Sequence, residues 1–166
     1  MTRPAQPSGV EADSEDSWVQ LFAFTLDRQE YAIDLMRIEE ILKVPGIVRV
    51  PGAPPFAGGV ISLRGAVIPV VDLRKWLNLE PAGTGSKCLI CRVGRQRVGV
   101  LVDGVQGAFR IRRSHLKPLP GMMVPGKIAW VIGVCGLPEQ PRLLLNLKAF
   151  LRVETPSSPA STSLTV

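Results

Sequence analysis

Few residues in this chain have the types and spacing that nucleophilic catalysis requires. His115 is the single histidine, so a Ser-His-Asp or Cys-His arrangement would have to use it. It lies in the basic stretch Arg-Arg-Ser-His-Leu-Lys-Pro, which is typical of a solvated surface segment. We therefore expect no nucleophilic active site.

The cysteines raise the question of a metal site. Cys88 and Cys91 have the C-x-x-C spacing of zinc ligands, and Cys135 with His115 would complete a set of four. Residues 88–93, however, have the apolar content of a strand, in which residues three apart point to opposite faces. We therefore expect no metal and no cofactor, and three reduced thiols in a reducing compartment.

Two further patterns fall short of enzyme motifs. The fragment Gly-Thr-Gly-Ser-Lys at 83–87 lacks the Gly-Lys-Ser/Thr ending of a phosphate loop, and no helix is predicted after it. Glu39 and Glu40 are adjacent on a predicted helix and would point in different directions, which does not suit paired acid-base work. The sequence predicts a protein that is not an enzyme.

The net positive charge of the predicted domain is compatible with two classes of binding partner. Residues 18–153 hold 19 Lys and Arg against nine Asp and Glu, a formal charge of +10, whereas residues 1–17 hold four acids and one arginine. The excess, with its cluster Arg110, Arg112, Arg113 and Lys117, is compatible with nucleic acid or with an acidic protein. The cluster lacks interleaved aromatic residues on which bases could stack, so we expect no nucleic acid. A small basic β-barrel that binds nucleic acid stays as the alternative.

The elements that position these residues are predicted to be mostly short strands. Hydrophobic content is 46% and aromatic content 5%, and 16 Gly and 15 Pro separate short apolar runs. Short helices are predicted over 34–42 and 73–79. Strands are predicted over 19–26, 30–34, 88–93, 97–102, 106–111, 128–136 and 142–146, with two more within 59–73. This spacing favours barrels or a sandwich.

The two ends of the chain differ from its middle. Residues 1–17 have almost no apolar content, and residues 154–166 are rich in Ser, Thr and Pro, so both are predicted to be disordered tails. The folded domain is predicted over 18–153. Neither a membrane span nor a signal peptide is recognisable, which predicts a cytoplasmic protein.

An internal similarity divides the domain into two halves. Residues 60–65 (VISLRG) resemble 131–136 (VIGVCG), and residues 70–77 (VVDLRKWL) resemble 144–151 (LLNLKAFL). The pattern predicts two similar barrel subdomains, with a chance match as the alternative. Asp72 and Asn146 both precede a predicted short helix, where such side chains accept hydrogen bonds from free backbone N–H groups, so both are predicted structural caps.

The motifs resemble those of a known family. Residues 59–65 (GVISLRG) and 67–74 (VIPVVDLR) are similar to the NLRG and PVVDLR signature of CheW-like domains. Residues 24–26, 30–34, 38–41 and 99–105 also fall where such domains have similar motifs, so the resemblance covers about 20–152. Two features depart from the family: Ser62 replaces its usual Asn, and the basic run over 110–113 is stronger than expected.

The resemblance implies an all-β fold with short helices, in which two five-stranded SH3-like barrels are intertwined. It implies no catalysis and no cofactor. Its implied partners are the cytoplasmic hairpin tip of bacterial chemoreceptors and the regulatory domain of a CheA-type histidine kinase, so membrane association would arise through receptor arrays alone. CheA and CheV contain the same domain. A modulator that has lost one partner is the alternative within the family.

The resemblance also implies receptor-contact residues. They are Arg64, Glu40, Gly59 and Val60, with Ile38 and Gly99 nearby, and Glu40 is predicted on the exposed face of the 34–42 helix. Arg64 matches Cys135 in the internal similarity, which indicates that the hairpin does not need a guanidinium there. The structural alternative is that Arg64 pairs with a carboxylate and locks the two subdomains together.

Overall fold

A computed structural model describes residues 17–44, 46–80, 86–120, 131–136 and 140–148. The predicted tails lie outside these ranges, apart from Ser17, as do 128–130 of one predicted strand. Two 3₁₀ turns (Leu35–Arg37 and Arg113–His115) and the helix α1 (Leu73–Trp76) interrupt the strands of the described part. The strands are β1 (Trp18–Leu26), β2 (Gln29–Asp34), β3 (Ile38–Lys43), β4 (Ala57–Leu63), β5 (Ala66–Asp72), β6 (Lys87–Val93), β7 (Gln96–Val102), β8 (Gly104–Arg112), β9 (Val131–Cys135) and β10 (Arg142–Leu145).

The strands form two five-stranded sheets with the same plan. The terminal sheet has the order β8-β1-β2-β10-β9, and the central sheet has the order β3-β6-β7-β5-β4. In each, one internal pair is parallel (β2 with β10, β5 with β7) and the other pairs are antiparallel. The chain starts the terminal sheet, builds the whole central sheet and then returns, so the predicted intertwined pair of similar subdomains is confirmed.

Each sheet is closed by a short bridge after its first edge strand. Val48, which follows β3, exchanges backbone hydrogen bonds with Val60 of β4 at 2.9 and 2.8 Å. Lys117, which follows β8, does the same with Val134 of β9 at 2.9 and 2.7 Å. Since β3 and β4, and likewise β8 and β9, are the outer strands of their sheets, these bridges close each sheet towards a barrel.

Three apolar clusters hold the described residues together. The largest joins the two sheets and includes Phe22, Phe24 and Tyr31 from one and Val71 and Leu89 from the other. A second lies within the central sheet around Ile61, Ile68, Val70, Cys88 and Ile90, and a third within the terminal sheet around Leu21, Ala32, Cys135 and Leu144. Burial of each large aliphatic side chain contributes about 1.5–3 kcal/mol, so the shared cluster binds the subdomains into one unit.

The predicted helix over 34–42 is wrong. Asp34 caps a single 3₁₀ turn by accepting a hydrogen bond from the Met36 N–H at 3.0 Å. The strand β3 then begins at Ile38, and its burial alternates residue by residue. Pairing with β6 outweighs the local helical spacing of the apolar residues, as tertiary context often does. The other predicted helix is present but ends at Trp76. Among the described residues, no helix has the length and apolar character needed to cross a membrane.

Candidate functional site

Arg64 lies at the tip of the hairpin between β4 and β5. Leu63 pairs with Ala66, so Arg64 and Gly65 form a two-residue turn with φ angles of +49° and +82°. Such turns require positive φ at both central positions, which glycine adopts without strain and arginine only at a cost. The turn presents the Arg64 guanidinium to solvent with 72% of its side chain exposed.

Glu40 of β3 holds this guanidinium from the opposite edge of the central sheet. Nη1 and Nη2 of Arg64 each donate to one Glu40 carboxylate oxygen at 2.8 Å. The hydrogen bonds to this carboxylate raise the pKa of Arg64 above its usual value. Since β3 and β4 are the outer strands of one sheet, the ion pair spans the closure of the central barrel. The structural alternative is therefore confirmed in part: Arg64 does pair with a carboxylate, but the pair does not lock the two subdomains together, because both partners belong to the central sheet.

The comparison of Arg64 with Cys135 also fails in detail. Arg64 occupies a turn with positive φ, whereas Cys135 is the last residue of strand β9 and is fully buried. Its backbone pairs with Arg142 of β10. The two positions are equivalent in sequence but not in geometry, so Cys135 does not show what the Arg64 position needs.

Gly59 and Val60 lie in β4 at the point where Val48 of the β3–β4 connection pairs with this strand. Val60 forms the closing bridge with Val48. A Cβ atom at Gly59, where φ is +127°, would lie 2.2 Å from the Val48 carbonyl oxygen. Glycine at 59 is therefore required for the close approach of two backbones. Beside them an apolar cleft of about 200 Å³ is lined by Val50, Ala53, Pro54, Phe56, Ala57, Gly59, Val60, Pro69 and Val70.

Exposed apolar side chains occur on both segments that carry the Arg64–Glu40 pair and on the connection after β3. Ile41 follows Glu40 directly and is 41% exposed, and Val67, next to the hairpin turn, is 73% exposed. The connection after β3 adds Val44, Val48 and Val50, all exposed. Exposed apolar residues on the same part of a sheet as a fixed charge are typical of a protein-binding surface.

Ile38 and Gly99 pack inside the domain and are not part of the exposed surface around the hairpin turn. Ile38 pairs with Cys91 of β6 and packs against the cluster shared by the sheets. Gly99 is buried in β7, where a Cβ would lie 3.0 Å from the Cys88 sulfur and 3.2 Å from a Val70 methyl. The structure joins Arg64 and Glu40 at the hairpin turn, whereas Gly59 and Val60 lie further along β4 beside Val48, and Ile38 and Gly99 lie within the packing of the central sheet.

Asp72 is the last residue of β5, and Asn146 directly follows β10. An Asp72 carboxylate oxygen accepts a hydrogen bond from the Arg74 N–H at 3.0 Å. The Asn146 side-chain oxygen accepts one from the Lys148 N–H at 3.1 Å. In each case the Asx side chain binds the backbone two residues later, at the start of a helical turn.

An ion-pair cluster that sequence reasoning missed joins the two sheets. Nε of Arg74, in α1, donates to Asp103 Oδ1 at 2.7 Å, and its Nη2 forms an ion pair with Asp103 Oδ2. Asp103 also accepts from the Asp27 N–H at 2.8 Å and donates its own N–H to the Thr25 carbonyl at 3.0 Å. The hydrogen bond from Arg74 lowers the pKa of the Asp103 carboxyl. The cluster ties α1 and β7 of the central sheet to the β1–β2 turn.

The three cysteines are buried in apolar surroundings. Cys88 belongs to the cluster inside the central sheet and Cys91 to the cluster between the sheets, so they point to opposite faces of β6. Burial raises the pKa of Cys88 to about 11 and that of Cys91 to about 12, and it also raises the pKa of Cys135. His115 is exposed. Within the described ranges, no three His, Cys, Asp or Glu side chains are grouped so as to hold a metal ion.

The basic cluster contains an aromatic residue, contrary to the expectation from sequence. Trp18 of β1 pairs with Arg112 of β8. The guanidinium carbons of Arg110 and Arg112 lie 5.2 and 5.4 Å from the Trp18 ring centroid. Trp18 is distant from these arginines in sequence, so the local pattern could not reveal the contact.

Comparisons with known proteins agree on a family. Residues 20–155 match the CheW-like domain family. The chemotaxis protein CheW of Klebsiella aerogenes is 27% identical over 137 residues, which cover 81% of this chain and 82% of that protein. Chemotaxis protein CheW of Helicobacter pylori is 32% identical over 115 residues, 68% of this chain and 70% of that one. The crystal structure of the scaffolding protein TtCheW from Thermoanaerobacter tengcongensis matches with a TM-score of 0.71 and 27% identity, over 78% of this chain and 89% of that one.

Proposed function

Because this chain belongs to the CheW-like domain family, we propose that it is the adaptor that couples chemoreceptors to a CheA-type histidine kinase in a chemosensory array. The family and its relatives identify a chemotaxis scaffold protein. The proposal adds the two partners, a receptor hairpin tip and the kinase regulatory domain. It also places the protein in the cytoplasm, held near the membrane through receptors.

The observation that carries the proposal is the exposed Arg64–Glu40 pair at the closure of the central barrel. A guanidinium held by a bidentate carboxylate has a fixed direction, and its remaining N–H groups can still donate to a partner. Val67, which follows the turn, and Ile41, which follows Glu40, are exposed and supply apolar contact area. A charged anchor accompanied by exposed apolar side chains is an arrangement from which binding hot spots are built.

The six receptor-contact residues divide into two roles in this proposal. Arg64, Glu40 and Val60 touch the receptor, because Arg64 and Glu40 form a partly exposed ion pair and Val60 lines the apolar cleft. Gly59, Ile38 and Gly99 act through packing: Gly59 lets the β3–β4 connection approach the hairpin, and Ile38 and Gly99 support the strands beneath it. No step in this coupling needs catalysis or a cofactor.

A three-component kinase assay tests the proposal. Receptor signalling fragments, a CheA-type kinase and this protein are combined, and kinase autophosphorylation is measured with and without the protein. Arg64→Asn is the informative variant, because asparagine tolerates the positive φ of the turn while the guanidinium is lost. We expect the wild type to give receptor-controlled kinase activity, and a folded Arg64→Asn protein to lose most of it.

Two results would contradict the proposal. Full receptor control by folded Arg64→Asn would remove the role of the ion pair. Binding of the wild type to neither receptor nor kinase would remove the coupling function itself, and retention on DNA or RNA in that case would favour the nucleic-acid alternative. Binding to a single partner would indicate a modulator.

A further inference from the structure

A cationic surface lies on the terminal sheet, away from the Arg64–Glu40 pair. We define it as Trp18 of β1 with Arg110, Arg112 and Arg113, and call it the Trp18 surface. Trp18 stands opposite Arg112 in the strand pairing, and Gln20 stands opposite Arg110. Trp18 is 54% exposed, and all three arginines are exposed. The indole ring therefore lies within 5.4 Å of two guanidinium carbons in an outward-facing surface.

None of these three arginines has an ion-pair partner among the described residues. Other arginines of the domain do pair with carboxylates. Those pairs are Arg64 with Glu40, Arg74 with Asp103, Arg92 and Arg97 with Glu39, and Arg142 with Glu30. Neighbouring like charges repel, and three such groups on one short stretch create a positive potential that attracts an anion.

The polypeptide entering this surface is strongly acidic. The Ser17 carbonyl accepts a hydrogen bond from the Arg113 N–H at 2.8 Å, and its hydroxyl accepts one from Arg113 Nε at 3.3 Å. Ser17 is therefore fastened to the surface, and the preceding residues 11–16 (EADSED) contain four acids and no base. An extended chain advances about 3.3–3.6 Å per residue, so the nearest carboxylates are within reach of all three arginines.

We propose that residues 11–16 of this same chain dock on the Trp18 surface, with their carboxylates paired to Arg110, Arg112 and Arg113. A short covalent tether gives an effective concentration of about the millimolar range, which favours this segment over any separate acidic protein at cellular concentrations. The docked segment neutralises the surface and covers part of Trp18. This inference does not depend on the proposed coupling function.

Paramagnetic broadening of NMR signals tests the proposal in the full chain. A nitroxide is attached at Ser8→Cys, and because the native cysteines are buried with raised pKa values, the new thiol reacts selectively. We expect the backbone amide signals of Arg110, Arg112 and Arg113 to lose intensity at low salt. The baseline is the same labelled chain with E11Q, D13N, E15Q and D16N, in which the tether is present but uncharged.

The charge dependence of the broadening provides the controls. Salt at about 1 M shortens the screening length to about 3 Å and should return the intensities to the baseline. The substitutions R110Q and R112Q should do the same. The matched pair R49Q and R95Q removes the same charge from exposed positions elsewhere and should leave the broadening unchanged.

Three outcomes would overturn the proposal. Equal intensities in the acidic and amide-substituted chains would show that the segment does not dock, leaving the arginines to an external anion. Broadening that survives R110Q and R112Q would show that these guanidinium groups do not hold the segment. Broadening found only between a labelled chain and an isotope-enriched, unlabelled one would show that the occupant is a second copy.

Discussion

Each carboxylate oxygen of Glu40 lies 2.8 Å from one guanidinium nitrogen of Arg64, so that strand β3 is joined to the β4–β5 turn. The side chain of Glu40 is 28% exposed and that of Arg64 is 72% exposed. A partner that reaches Arg64 therefore meets Glu40 as well. The pair can contact a partner directly, or it can act indirectly by holding the β4–β5 turn in the position that the partner binds.

Exchange of the two charges separates these roles. Arg64→Glu and Glu40→Arg should each weaken receptor binding by about tenfold or more, since each leaves like charges facing one another at the site. If the pair mainly positions the turn, the double variant regains most of the affinity. If Arg64 itself contacts the receptor, the double variant stays weak, and this second result is the one we expect. Binding to a receptor signalling fragment is measured by calorimetry.

A neighbouring pair offers the control for this exchange. Glu39 points to the other side of β3, where it pairs with Arg92 and Arg97. Exchanging Glu39 and Arg92 should leave receptor affinity unchanged. Equal loss of affinity from both exchanges would mean that general disruption of β3, rather than the Arg64 site, had been measured.

The Arg74–Asp103 pair should make stability depend on pH in the acid range. Arg74 lowers the pKa of Asp103 in the folded protein, so the folded state favours the ionised carboxylate. The resulting stability is fully present above the unfolded pKa of about 3.9 and is lost as pH falls through the lower folded value. At pH 7, Asp103→Asn should cost about 1–3 kcal/mol in the free energy of unfolding.

Denaturant unfolding at several pH values tests this prediction. The difference in unfolding free energy between wild type and Asp103→Asn should shrink as pH falls below about 4, because protonated Asp103 resembles asparagine in charge. A difference that stays constant down to pH 2 would show that the ion pair does not contribute as described.

Gly59→Ala should destabilise the fold itself. The added Cβ would lie 2.2 Å from the Val48 carbonyl oxygen at a positive φ. Backbone would have to move, at a cost of about 1–3 kcal/mol, and thermal denaturation should show a lowered Tm. Gly46→Ala is the matched control, because no atom lies within 4 Å of a Cβ built there. Unchanged stability in Gly59→Ala with lost receptor binding would instead assign Gly59 a direct contact.

The cysteines should be inert in the native protein. Their burial and raised pKa values keep Cys88, Cys91 and Cys135 protonated and inaccessible near neutral pH. A thiol reagent at pH 8 should modify none of them until denaturant is added, and then all three. Purified protein should contain no stoichiometric zinc, and a chelator should leave Tm unchanged. Rapid modification, or loss of the fold on chelation, would contradict this account.

Strands and hairpins were predictable because their signals are local. The apolar runs and the turn residues around Gly65, Gly94 and Gly104 placed most strands within a residue or two, and the similarity of 60–65 to 131–136 predicted two like subdomains. The failure at 34–42 has a physical reason. Apolar residues at 35, 38 and 41 suit a helix, but the alternating burial of β3 is imposed by β6, which lies far along the chain.

Contacts between distant residues could not be predicted from spacing. Arg74 was visible as the last residue of a signature motif, but nothing local indicates that it pairs with Asp103 and approaches Asp27. The contact of Trp18 with Arg110 and Arg112 depends on the pairing of the first strand with the eighth. The partner of Arg64 was similarly hidden, because Glu40 was expected on a helix.

The order of strands along the chain has a consequence for synthesis on the ribosome. All five strands of the central sheet are consecutive, so this barrel can form as soon as β7 has emerged. β1 cannot pair with β8, nor β2 with β10, until those later strands have been synthesised. The parallel pairing of Tyr31 with Leu143 is therefore among the last contacts to form. Until then the apolar side chains of β1 and β2 can pack against the newly formed central barrel, through the apolar cluster that joins the two sheets. We expect the central barrel to act as the template on which the two ends of the newly made chain assemble.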